Sequence, residues 1–243
     1  MHLMTRRSTI KEVAFAAGVS TQTVSRVIND RPDVSPETRK RVQGIINQLG
    51  YRPSAIARSL IYQRSFTIGV VTAGLNFIGP SRTLSSISHT AEDAGYSMLM
   101  KELPHFEVED ILPIFQTLIS HHVDGIIWAV PEIGENHLWL DELSMDQSIP
   151  VVYLTMRTRA DISVVSIDNY TGGVLATRHL LDIGRKNIAH LSGPLDWWEA
   201  YQRKQGWRDT LDGAGHHFDE RHSVEGNWSS ASAQSAFLHL LDT

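Results

Sequence analysis

Four side chains in one short stretch have the chemistry to read a base edge or hold a phosphate. They are Thr21, Gln22, Ser25 and Arg26, within Thr21-Gln22-Thr23-Val24-Ser25-Arg26-Val27-Ile28-Asn29. A glutamine amide can bond an adenine edge at two atoms, and an arginine fork can do the same at guanine. Gln22 and Arg26 are four residues apart, about one helical turn, so they share a face. Val24, Val27 and Ile28 fall on the opposite face. A helix with an apolar back and polar readers in front suits a DNA groove.

Its neighbours must hold it there. Ile10, Val13, Ala14 and Ala17 repeat at i, i+3, i+4, i+7, one apolar face of a helix. Thr9 and Glu12 have capping-box spacing at its start, and Gly18 suits the left-handed residue at its end. Ser20 or Thr21 can cap the second helix. After Asp30-Arg31-Pro32-Asp33, Ser35 and Pro36 open a third, with Val42, Ile45, Ile46 and Leu49 on its buried face and Gly50 as its stop. Three short helices with a tight turn between the first two predict a helix-turn-helix, whose second helix is the reader. A three-helix interaction domain with a polar surface is the other reading of the same pattern.

Charge separates the two. Residues 1–64 hold eleven Lys or Arg against four Asp or Glu, a net +7. Residues 65–243 hold eleven against 23, a net −12. A basic head on an acidic body is the electrostatic footprint of a polyanion-binding module. Cysteine is absent, which excludes disulfides, thiolate metal sites and cysteine nucleophiles. No apolar run approaches a membrane span. Arg6-Arg7 is followed by Lys11-Glu12 rather than by the apolar core of an export signal, so a cytoplasmic location is expected.

Thr9-Ile10-Lys11-Glu12-Val13-Ala14, Ala17-Gly18-Val19-Ser20, Thr23 to Asn29, Val34-Ser35-Pro36-Glu37-Thr38-Arg39 and Leu49-Gly50-Tyr51-Arg52-Pro53 resemble the head of the lactose/galactose repressor (LacI/GalR) family. The resemblance implies base contacts from Thr21, Gln22 and Arg26, with Ser25 and Asn29 on phosphate or positioning the helix. Residues 51–65 read from composition as a linker with about two turns of marginal helix. The resemblance makes them a hinge helix, with Arg58 near phosphate or a groove edge and Leu60 as a wedge between base pairs in the minor groove.

Beyond Ser65 strands alternate with helices. Phe66–Val71, Tyr96–Met100, Val123–Ala129, Pro150–Leu154 and Val164–Ile167 read as strands. Helices fall around Leu84–Ala94 and Ile111–Leu118. That order implies a parallel sheet covered on both faces, with ligands outside the carboxyl ends of the strands. A helix through Ala176, Leu180 and Ile183 follows, then a strand over Lys186–Gly193. Helices near Glu199–Leu211 and Ser229–Leu241 come after it, with a short strand around His222–Val224 between them.

The expected fold is therefore an all-α helix-turn-helix head plus an α/β periplasmic-binding-protein-like body of parallel sheets in two lobes. The expected division is 1–50 for the DNA-binding domain, 51–65 for the hinge, 66–168 for the first lobe and 169–243 for a partial second lobe. Family members continue past Thr243, so the second lobe is expected to be incomplete.

The resemblance places effector contacts at Phe77, Thr83, Thr155, Arg203 and Trp228. An arginine fork suits sugar hydroxyls, and an indole face packs on a sugar ring. Ordinary core packing is the alternative for the aromatics, and a solvated helix face for Arg203. Ala129 and Thr155 stand where sugar-binding relatives often carry an amide or a carboxylate, so no particular sugar is implied. No nucleophile elbow, P-loop, dinucleotide fingerprint or His-Glu-x-x-His occurs, so no enzyme activity, cofactor or metal is expected. His121-His122 and His216-His217 are adjacent pairs that do not face one another on a helix.

The reading is a DNA-binding regulator, a repressor, acting as a homodimer on a near-palindromic operator under control of a small molecule, a sugar. Its alternatives are a truncated remnant that binds DNA without effector control, and a solute-binding protein of the same body fold.

Overall fold

The computed structural model describes residues 8–52, 59, 63–107, 110–134, 149–216 and 219–242. The chain divides into two compact units, Met1–Ser65 and Phe66–Thr243.

The first unit holds α1 (Ile10–Ala17), α2 (Thr21–Ile28) and α3 (Pro36–Leu49). Each start is fixed by a side chain taking an orphan backbone N–H. Thr9 and Glu12 form a full capping box, Ser20 accepts from Thr23 N at 3.1 Å, and Ser35 accepts from Thr38 N at 3.3 Å. Gly18 turns the chain between α1 and α2 at φ 63°, where a Cβ is disfavoured. Val13, Ala14, Ala17, Val24, Val27, Val34 and Val42 are buried together, with Ile10, Ile28, Ile45 and Ile46 packed on them. Leu49 departs from the expected apolar face and is 37% exposed. Tyr51, past the helix end, covers the core instead.

The second unit opens with β1 (Thr67–Ala73), α4 (Ile78–Asp93), β2 (Ser97–Leu103), α5 (Leu112–Ser120), β3 (Gly125–Ala129), β4 (Val151–Leu154) and β5 (Ser163–Val165). The five strands form one sheet in the order β2-β1-β3-β4-β5, and every neighbouring pair is parallel. The last five residues of β1 are all buried, as expected of a strand inside a covered parallel sheet. The core behind it joins Val71, Leu118, Ile126, Trp128, Tyr153 and Met156, with Phe115 stacked on Trp128 at 5.7 Å. Burial, with Asp161 adding to it, pushes the Tyr153 hydroxyl up to about 12. β5 stops at Val165, and Ile167, expected within it, is 79% exposed. There the Ile167 carbonyl accepts from the Asn169 backbone N–H and from its Nδ2.

The remainder is α6 (Asn169–Asp182), β6 (His190–Ser192), α7 (Trp198–Gly213), a 3-10 turn (Glu220–His222), β7 (Ser223–Glu225) and α8 (Ser230–Leu241). β6 and β7 form a separate parallel pair. β6 is shorter than the strand expected over Lys186–Gly193: it pairs with β7 over His190–Ser192 alone. α6 packs through Gly173 and Thr177 rather than through Leu180 and Ile183, which are 36% and 54% exposed. The reason is backbone proximity: a Cβ on Gly173 would lie 2.4 Å from the Arg203 carbonyl oxygen, and one on Gly206 would lie 2.2 Å from that of Tyr170.

Candidate nucleic-acid interface and small-molecule cleft

Burying Val24 and Val27 turns Thr21, Gln22 and Arg26 outward, and all three are exposed. Thr21 and Gln22 are the polar front of α2. Arg26 is ion-paired, its Nη1 3.3 Å from Asp33 Oδ2. Asn29 caps the end of α2: its Nδ2 donates to the Ser25 carbonyl at 2.8 Å and to Ser25 Oγ at 3.3 Å. Ser25 and Asn29 are thus joined to each other and shape the end of the reader. Arg58 and Leu60 lie outside the described residues.

In the second unit a row of aromatic rings runs past the carboxyl ends of the strands. Phe77, before α4, lies 5.9 Å from Phe106. Phe106 meets Trp197 edge-on at 4.7 Å, and Trp197 meets Trp228 edge-on at 5.7 Å. The Arg203 guanidinium stands 5.6 Å from the centre of the Trp228 ring. Three of the five expected effector residues, Phe77, Arg203 and Trp228, therefore belong to one continuous group. Trp228 lies flat on Gly193, where a Cβ would fall 2.0 Å from the indole. Its backbone is left-handed at φ 66°, and the neighbouring Ser229 caps α8.

Phe77, Phe106 and Trp197 border a cleft of about 480 Å³ that Asn76, Glu107 and Asp196 also line. Of the expected effector residues only Phe77 lines it; Trp228 instead lines a pocket of about 270 Å³ with Leu191, Gly193 and Ser229, and Arg203, Thr83 and Thr155 line neither. Thr83 is half-buried along α4. Thr155 follows β4 at φ 57°, and its hydroxyl donates to the Leu154 carbonyl at 2.7 Å.

Three partners were not singled out from sequence. Phe106 completes the aromatic row. It follows β2, and the rule that ligands gather at strand ends would have found it. Asn169 accepts through Oδ1 from Arg203 Nη1 and fixes that fork. Glu132 is 2% exposed, ion-paired to Arg157 at 3.1 Å and Arg159 at 3.3 Å, and its carbonyl accepts from Trp198 N at 3.4 Å. No local pattern marks a buried carboxylate whose partners lie 25 and 27 residues away. Glu199 sits beside Arg203, and burial raises its carboxyl above the ordinary range, with Arg203 opposing that and Glu132 adding to it. Among the described residues no group of three potential metal ligands gathers, and no helix is long and apolar enough to cross a membrane.

Residues 9–54 match the model of bacterial regulatory proteins of the lacI family, and residues 81–243 match that of periplasmic binding proteins and the sugar-binding domain of the LacI family. The chain belongs to the LacI family. Catabolite control protein A of Priestia megaterium is 32% identical over 235 residues, covering 96% of this chain and 70% of that protein. The lactose operon repressor of Escherichia coli K12 is 29% identical over 240 residues, covering 96% and 64%. The LacI-family chain thus spans about two thirds of the length of these relatives. Among solved structures, the lac repressor dimer bound to operator and the anti-inducer ONPF superposes with a TM-score of 0.78 at 28% identity, over 98% of this chain and 71% of that one. The complex of the regulator CelR with cellobiose does so at 0.59 and 28%, over 97% and 71%. The helix-turn-helix head and the parallel α/β body expected from sequence are those of the LacI family.

Proposed function

We propose that this chain is a transcriptional repressor that grips a near-palindromic DNA operator as a homodimer, and whose grip changes when its body binds a small carbohydrate. The observation that carries the reading is the front of α2. Gln22 and Arg26 stand one turn apart, exposed, on a helix whose back is locked into the head core. The net charge of +7 over residues 1–64 supplies attraction to phosphate without choosing a sequence. The choice is assigned to Thr21, Gln22 and Arg26, with Ser25 and Asn29 setting the helix end and Arg58 and Leu60 acting from the hinge. Residues 1–50, 51–65, 66–168 and 169–243 are assigned as reader, hinge, first lobe and partial second lobe. Two structural relatives, one named for operator and anti-inducer and one for cellobiose, support the pairing of DNA with a sugar-like effector. Phe77, Arg203 and Trp228 are its central contacts, with Thr83 and Thr155 further out. A cytoplasmic location follows from a DNA target.

The test is enrichment of bound duplexes from a random-sequence pool. An inverted repeat should emerge, with half-sites about one helical turn apart. Arg26→Ala should weaken binding to it by about 1–3 kcal/mol and relax choice at one position of each half-site. Equal loss on every sequence would take base reading away from Arg26, and no enriched sequence would remove the proposal.

A further inference from the structure

The loop behind the reader helix brings one carboxylate back onto it. Arg31 N donates to the Arg26 carbonyl at 2.9 Å, so the chain turns sharply as α2 ends. Arg39 of α3 clamps that turn, donating from Nη1 to Asp30 Oδ1 and from Nη2 to the Arg31 carbonyl. The clamp holds Asp30 at φ 50°, a backbone seldom used outside glycine, Asn and Asp. Pro32 continues with its φ fixed, and Val34 anchors the far end by burial in the head core. Between these two anchors Asp33 has little freedom, and its Oδ2 rests 3.3 Å from Arg26 Nη1.

We propose that Asp33 is a positioning residue for Arg26, orienting its guanidinium for a guanine edge and keeping it from serving as a general phosphate contact. The inference rests on the DNA-reading proposal above. An arginine carries five N–H donors, so a carboxylate at Nη1 leaves capacity for the two acceptors that guanine presents in the major groove. A phosphate can also take the arginine fork in two places, but it is anionic, and the Asp33 charge repels it where it does not repel the neutral guanine edge. Both side chains are about half exposed, at 46% and 54%. An exposed pair shifts an equilibrium by at most about fivefold, so Asp33 biases Arg26 without locking it, and DNA can rearrange the contact.

The experiment uses the full chain and the duplex it enriches from a random pool. Affinities are measured for that duplex and for one altered only at the position read by Arg26, over a range of salt. Asp33→Asn should lower discrimination at that position by about 2–5-fold. It should also tighten binding to unrelated DNA, with the slope of log affinity against log salt steeper by about one, as for one added phosphate contact. Asp33→Glu, which keeps the carboxylate, should retain most of the discrimination. In an Arg26→Ala background Asp33→Asn should change nothing at that base position, which a merely structural role for Asp33 would not produce. The inference is overturned if Asp33→Asn is as selective as the wild type with an unchanged slope, or if it weakens all sequences alike. A wild-type chain that enriches no sequence would instead overturn the DNA reading, and this inference with it.

Discussion

At the residue scale, His190 shows how burial becomes a pH dependence. Its ring stacks on Trp207 at 5.4 Å, and burial, with Lys204 and Arg203 adding to it, pulls its pKa from 6.5 down to about 4. The folded chain therefore keeps His190 neutral where the unfolded chain protonates it. Between pH 6.5 and about 4 the unfolded state binds more protons, so acid favours unfolding; above 6.5 neither state is protonated and the contribution vanishes. The urea midpoint should fall between pH 7 and pH 5, and should fall less in His190→Gln. Equal falls in the two proteins would show that another group carries the effect. His190 was legible only as part of a strand, because its neighbours Arg203, Lys204 and Trp207 come from a helix that begins eight residues later. The exposed face that carries Gln22 and Arg26 was legible because the contrast that marks it, apolar behind and polar in front, lies within one turn of one helix.

At the element scale, the helix starts were readable to the residue at Thr9 and Ser35, and to Ser20 or Thr21 for α2, where Ser20 is the cap, since a cap is a contact between residues three apart. The packing of α6 on α7 was not readable, since it depends on two glycines on different helices. That contact gives a paired prediction. Gly172 and Gly173 are adjacent in α6; a Cβ on Gly172 meets nothing within 4 Å, whereas one on Gly173 strikes the Arg203 backbone. Gly172→Ala should stabilise the chain by up to about 1 kcal/mol, the helix-propensity gain. Gly173→Ala should destabilise it by about 1–3 kcal/mol, because backbone atoms on α7 cannot give way as a flexible side chain would. Denaturant midpoints of the two variants should move in opposite directions. Movement in the same direction would mean that α6 and α7 adjust their separation freely.

At the scale of the whole molecule, the split into a basic head and an acidic body was visible in charge alone, and the family resemblance supplied what each half is for. What composition could not supply is how the aromatic row is assembled. It draws Phe77 from the start of α4, Phe106 from the loop after β2, Trp197 from the start of α7 and Trp228 from the loop before α8. Within each sheet the parallel strands deliver their carboxyl ends to one side, Phe77 and Phe106 from the five-stranded sheet and Trp197 and Trp228 from the β6–β7 pair, and the two sets of loops meet where Phe106 touches Trp197. Trp228 is the member best placed to test whether this row speaks to the head. It is 40% exposed, so removing its ring empties a surface rather than a core, and Arg203 loses the face it stands over. With a panel of mono- and disaccharides that includes cellobiose, DNA affinity of the wild type should change with at least one sugar. Trp228→Ala should need about tenfold more of that sugar for the same change, the loss expected for one aromatic contact. Without sugar its DNA affinity should stay within about twofold of the wild type, because Trp228 and the reader helix belong to different units. An unchanged sugar response would remove Trp228 from the effector site. A parallel loss of sugar-free DNA binding would show that the indole supports the fold of the body rather than the ligand.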